Sequence, residues 1–179
     1  MPDIQGTTNE AAPTQAKKMT PAERRQYDHM AEHMDMFHNH FRQNWNEMYA
    51  ACSANKRPGG ISIRAFLNQA EEFCRMLTMH HTIEERHIFP VLAKKMPAFR
   101  EELELLTHHK RIHEGIDKME AYIAQCRSGE TEFRMAELKN IMDSFGAVLW
   151  EHLDAEVAQL RAENMVKYWT LEEMRRMPM

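Results

Sequence analysis

Apolar residues recur at helical spacing along almost the whole chain beyond residue 20. Met30, Met34, Phe37, Phe41, Trp45 and Met48 are three or four apart, which puts them on one face of an α-helix. Thr20, Pro21 and Glu23 supply its start, a capping box with proline at the first helical position. The breaker Arg57-Pro58-Gly59-Gly60 supplies its end. A second stripe through Phe66, Ala70, Phe73, Leu77, Ile88 and Val91 predicts a helix capped by Ser62 and running to about Lys95. It should bend near Pro90, because proline cannot donate to the carbonyl of Arg86. Pro97 separates it from a third helix that uses Phe99, Leu103, Leu106, Ile116 and Ile123 and ends at Ser128-Gly129, where glycine allows a left-handed cap. A fourth, starting near Thr131, buries Leu138, Met142, Phe145, Leu149 and Leu160.

Four amphipathic segments on short connections predict an all-α fold, an antiparallel up-and-down four-helix bundle over residues 20–165. Residues 1–19 carry no periodic apolar pattern and are expected to form a flexible tail. A second capping box, Thr170 with Glu173, predicts a short helix in a C-terminal extension, residues 166–179, packed on the bundle. No internal repeat marks a solenoid.

Composition narrows the function classes. A net charge of −4 with both signs interspersed offers no basic patch for nucleic acid. No apolar run approaches the roughly 20 residues of a membrane span, and the first twenty residues lack a signal-peptide core. Cys52, Cys74 and Cys126 are an odd number without CxxC spacing, which argues against a disulfide framework or zinc ribbon and for a reduced compartment. The cytoplasm is the expected address. Sixteen methionines raise the idea of sulfur ligands or a sticky groove, but most sit on the apolar stripes and read as core filler. Eleven histidines are the anomaly that needs an explanation.

That explanation begins at Leu77–Val91, which reads LTMHHTIEERHIFPV. Glu84 stands at the centre of the second apolar stripe, with His80 and His81 on either side of it. On the third helix His113 is central, His109 lies within roughly 60° of Leu106, and His108 points to the opposite face. On the fourth, His152 and Glu156 flank the line of Phe145 and Leu149, whereas Glu151 and Asp154 face solvent. The first helix offers His38, with His33 as a less central rival and His40 further out. The inward set is therefore His38, His80, Glu84, His109, His113, His152 and Glu156. Burying a carboxylate or crowded imidazoles costs several kcal/mol unless something pairs with them, and a metal ion does so. Five nitrogen and two oxygen donors suit a pair of borderline metals such as iron better than calcium or magnesium.

A lone His, then HxxxE, HxxxH and HxxxE on successive helices resembles the hemerythrin-like (HHE cation-binding) family, over about residues 22–164. His80 to Pro90, in the form HHxxEExxxFP, is similar to a common variant of its second motif. The C-terminal stretch AENMVKYWTLEEM resembles filamentous-fungal members. The resemblance implies two iron ions, one held by His109, His113 and His152 and the other by His38 and His80, with Glu84 and Glu156 bridging. His33 stays open as an alternative to His38, and His81 as an extra or alternative ligand beside His80. The expected function is a non-heme di-iron protein that binds O2 or a related small oxidant, in oxygen or redox sensing, storage or iron homeostasis. The alternatives are a di-iron oxidase or peroxide-decomposing enzyme, with catalase-like or ferroxidase activity, and a structural or zinc-bound helical interaction module. Glu84-x-x-His87 is the single match to the ExxH pairs of the ferritin-like plan, and His87 sits off the stripe.

Overall fold

The four long amphipathic segments fold as the helices of one bundle. The structure, a computed structural model, describes residues 19–100 and 104–178. Its helices are α1 (Pro21–Ser53), α2 (Ile63–Ile83), α3 (Phe89–Leu92), α4 (Glu104–Ser128), α5 (Met135–Leu160), α6 (Ala162–Tyr168) and α7 (Leu171–Met174). There is no strand among the described residues. The expected tail up to residue 18, and Leu103, lie outside them. Thr20 and Thr170 each form the capping box expected of them, and the Ser62 hydroxyl accepts from the N–H of Ala65. Gly129 ends α4 with φ +80°, a conformation glycine adopts without strain.

α1 packs on α2 and α5, and α4 packs on the same two, so the four long helices close a ring. Neighbours run antiparallel: on α1, His38 meets Leu153 of α5 while Tyr49 meets Asp143. Two glycines let helices approach closely. A methyl group on Gly115 of α4 would sit 2.2 Å from the ring of Phe145, and one on Gly146 of α5 would sit 2.8 Å from that of Trp45. Both rings are buried and have little room to yield.

Several local expectations are corrected. α5 begins at Met135 instead of near Thr131, because Tyr122 holds Arg134 extended (φ −128°, ψ 126°). Its hydroxyl accepts from the Arg134 N–H at 2.8 Å and donates to the Arg134 carbonyl at 3.1 Å. The bend ahead of Pro90 takes the form of a π-helical turn, Glu84–Ile88, in which the Phe89 N–H reaches the Glu84 carbonyl. Such turns insert one residue into the helical ladder and re-aim the side chains around them. The second helix stops at Leu92, short of Lys95. Finally, α4 is rotated from the stripe expected of it. Its buried line is Leu105, Ile112, Ile116, Met119 and Ile123, while Leu106 is half-buried. On α1, Phe37 likewise falls outside the core, 41% exposed.

α6 and α7 cover one end of the bundle. Asp28 of α1 accepts from the N–H of Ala162 at 2.8 Å, the Tyr27 hydroxyl donates to the carbonyl of Trp169 at 2.9 Å, and Lys95 pairs with Glu173 at 2.6 Å. The apolar core consists of two clusters, one around Phe41, Phe73, Ile116 and Phe145, the other around Met34, Phe99, Leu160 and Met165. Each long helix passes from one to the other at its polar residues: α1 at His38, the second helix at His80 to Glu84, α4 at His109, α5 at His152 and Glu156. A polar layer therefore crosses the middle of the bundle, closed above and below by carbon.

Candidate metal centre

Within this layer the donor atoms fall into two groups of four. His81, Glu84, His109 and His152 form one, and His38, His80, Glu84 and Glu156 the other; in each, the donors all lie within 4.8 Å of one another. Glu84 belongs to both. Its Oε1 is 2.7 Å from His80 Nε2 on one side and its Oε2 3.4 Å from His109 Nε2 on the other. Glu156 also faces both ways, with Oε2 3.4 Å from His38 Nε2 and 3.5 Å from His152 Nε2. All of these side chains except His80, which is half-buried, are shut off from solvent.

Two of the imidazoles are held in one orientation by groups outside the layer. His38 Nδ1 lies 3.0 Å from the carbonyl of Leu153, which can only accept, so the proton of a neutral His38 is on Nδ1 and the Nε2 lone pair points inward. His109 Nδ1 lies 2.8 Å from Glu85 Oε1, with the same consequence. A carbonyl or carboxylate behind the ring, fixing the tautomer, is how metal-binding histidines are typically supported. The π-helical turn makes this possible by directing Glu84 into the layer while its neighbour Glu85, 40% exposed, reaches His109 from the rim.

The ring nitrogens that converge are close enough to need something between them. His38 and His80 Nε2 are 3.2 Å apart, and His109 and His152 Nε2 3.1 Å. Lone pairs at that distance repel unless a proton or a cation bridges them. Both oxygens of Glu84 and of Glu156 and both ring nitrogens of His81 are buried without a hydrogen-bond partner. So many orphaned donors around two points fit cations better than a closed hydrogen-bond network.

Residues 29–160 match the family model described as the hemerythrin HHE cation binding domain. The chain belongs to that family. One relative, the dimeric xanthone biosynthesis cluster protein R11 of Cryptosporiopsis sp. (strain 8999), is 23% identical over 154 residues, 80% of this chain. The chain spans 56% of that relative's length. No solved structure matches. Membership implies cation binding, and the two donor groups of this HHE domain supply the residues for it. No helix among the described residues is long and apolar enough to cross a membrane.

Burial sets the protonation states of the HHE layer. It holds His80 down to about 3, His81 and His152 well below the ordinary 6.5, and His109 lower despite its hydrogen bond to Glu85. Neutral imidazole is the form that ligates metals. Burial, reinforced by Glu156, pushes Glu84 well above the usual carboxylate range, a bias that a neighbouring cation reverses. These shifts have a consequence for the chelator-stripped protein. Each of the four histidines has a folded value below its unfolded one, so the unfolded chain takes up protons first. Stability is lost as pH falls below 6.5, down to about 3 for His80, at a limiting slope of about 1.4 kcal/mol per pH unit for each histidine. Glu84 acts with the opposite sign, but it is one group against four. Circular dichroism of the stripped protein is expected to show unfolding between pH 7 and 5, and an unchanged spectrum over that span would mean the layer is wet.

Of the residues expected from sequence, His38, His80, Glu84, His109, His152 and Glu156 stand in the two groups. His113 does not: it is half-buried one turn beyond His109, with its ring centroid 5.2 Å from that of His81. His81 takes a place in the first group instead, stacked on His109 at 3.9 Å. His108, expected on the opposite face, is buried and points toward Glu151 of α5 at 3.9 Å. Both departures have one cause, the rotation of α4 onto Leu105 and Ile112, which turns residues 108 and 109 inward and carries 113 to the edge. His33 is half-buried outside both groups, and His40 and His87 are exposed. Sequence reasoning missed Glu85. Its only signal was adjacency to Glu84, since its partner lies 24 residues away on another helix.

Proposed function

We propose that the protein is a non-heme di-iron protein that binds O2 or a related small oxidant, in oxygen or redox sensing, storage or iron homeostasis. The observation that carries this reading is the position of Glu84, one carboxylate with an oxygen facing each of two histidine-rich donor groups. His38, His80 and Glu156 would hold one ion, and His81, His109 and His152 the other, with Glu84 shared. His113, which the family pattern names, stands beside His81. Five imidazoles and two carboxylates suit iron, and ferrous iron held there would supply electrons for reversible binding of O2. The chain's own part is positional. Leu153 and Glu85 aim His38 and His109, and the apolar clusters on either side exclude water.

A second reading, an enzyme using the same centre, draws on the name of the relative, which ties that protein to a biosynthesis cluster. The ferritin-like version of it is disfavoured because His87 is exposed. Metal analysis and absorption spectroscopy on one sample test the proposal. About two iron atoms per chain, with near-ultraviolet charge-transfer absorption that the zinc-substituted protein lacks, are expected on the coordination chemistry of the site. One tightly held zinc, and no iron after reconstitution, would sink it.

A further inference from the structure

Between α1 and α2, beside the metal centre, lies a cavity of about 270 Å³. Two donors of the centre, His80 and Glu84, contribute to its lining, and so do three methionines, Met34, Met76 and Met79. Helical spacing brings the two kinds of residue together. Met34 precedes His38 by one turn on α1, and Met76 precedes His80 by one turn on α2, so each thioether shares a face with a donor. Met79, next to His80, is 44% exposed and stands at the mouth with Ile83, 45% exposed. His80 is the one member of the two donor groups that is not fully buried, so a small molecule from solvent meets the centre on this side.

Sulfur is the readily oxidised element of the chain, and its two forms are placed differently. None of the three cysteines lines the cavity. Cys52 and Cys74 are buried among apolar side chains, where burial pushes their thiols up to about 11 and about 12, and the reactive thiolate is scarce. A thioether needs no deprotonation to be oxidised. Of the three at the cavity, Met34 is 1% exposed, and the sulfur of Met76 accepts from Arg75 Nη2 at 3.4 Å, which draws electron density from it. Met79 is under neither restraint.

We propose that Met79 is a site of reversible oxidation, its thioether taking one oxygen from hydrogen peroxide that enters the cavity toward His80 and Glu84. The sulfur attacks one peroxide oxygen. An S–O bond forms as the O–O bond breaks, sulfur gives up an electron pair, and the displaced hydroxide takes the proton of the transferred hydroxyl and leaves as water. Iron held by His80 and Glu84 would polarise the O–O bond, and to that extent the reactivity of Met79 rests on the di-iron reading. The product puts a polar sulfoxide at the mouth of an apolar cavity, exposed to the reductases that reverse it.

Treating the full-length protein, iron-loaded or metal-stripped, with a limited amount of hydrogen peroxide, and locating the added oxygen by peptide mass spectrometry, tests it. Met36 is the control, 57% exposed and outside the cavity lining. In the iron-loaded protein Met79 should be oxidised ahead of Met36 by about tenfold or more, as a group held beside the activated reactant, and methionine sulfoxide reductase should restore it. In the stripped protein, kept folded at about pH 8, the order should follow exposure, with Met36 first. Met36 oxidised ahead of Met79 with iron bound would overturn the proposal alone, and so would an equal preference for Met79 in the stripped protein. A sample that takes up no iron on reconstitution would overturn it together with the di-iron reading.

Discussion

Replacing Glu84 with alanine is expected to empty the whole metal centre, whereas replacing His38 should empty only half of it. Glu84 is the one carboxylate common to both donor groups, 2.7 Å from His80 Nε2 and 3.4 Å from His109 Nε2. His38 belongs to one group alone. Iron per chain should fall from about two toward zero in Glu84→Ala and to about one in His38→Ala, on the donor arithmetic of the site. Stability should report the same difference. Metal that binds the folded chain and not the unfolded one adds about 4 kcal/mol when free metal is a thousandfold above its dissociation constant. Glu84→Ala forfeits that contribution for both ions. Without metal the same substitution should cost less, about 2–5 kcal/mol, as for truncating a large buried side chain to alanine. Thermal melts of loaded and stripped samples check this. A Glu84→Ala protein that retained both irons, or lost as much stability stripped as loaded, would show that the carboxylate is structural.

The second large effect concerns His81 and His113. His81→Ala should cost about one iron per chain, much as His109→Ala does, while His113→Ala should cost far less, because only His81 brings a donor atom into the group with Glu84, His109 and His152. His108→Ala should leave the iron content near that of the wild type, since His108 points to Glu151 from outside both groups. Metal analysis of the four variants after identical reconstitution decides the matter. A greater loss for His113→Ala than for His81→Ala would restore the HxxxH pair of α4 as the ligand pair and leave His81 as its neighbour. That outcome would require a turn of α4 of the kind that separates the Leu106 line from the Leu105 line.

Much of the fold and part of the site were legible in the residues alone. Thr20 with Glu23, Ser62, and Thr170 with Glu173 start helices where expected, because a cap bonds to backbone within its own turn. The apolar stripes required a bundle. The spacing of His80, His81 and Glu84 put the carboxylate between two imidazoles, one on each side, and the structure assigns those imidazoles to different donor groups. These features depend on residues within one or two turns of each other, and sequence order fixes such distances once the segment is helical.

Other features were decided by neighbours far away in the chain. The rotation of α4 follows from packing against α2 and α5, and a stripe read from one helix leaves several tens of degrees of its phase open. That freedom is what buried His108 and moved His113 to the rim. The start of α5 waits on the Tyr122 hydroxyl, and the aim of His109 on Glu85 across the helix interface. Sequence by itself determined which residue types occupy the polar layer and on which helix each one rides. Only the tertiary structure decided which donors converge, because a ring's direction depends on hydrogen bonds and contacts from helices that periodicity cannot place.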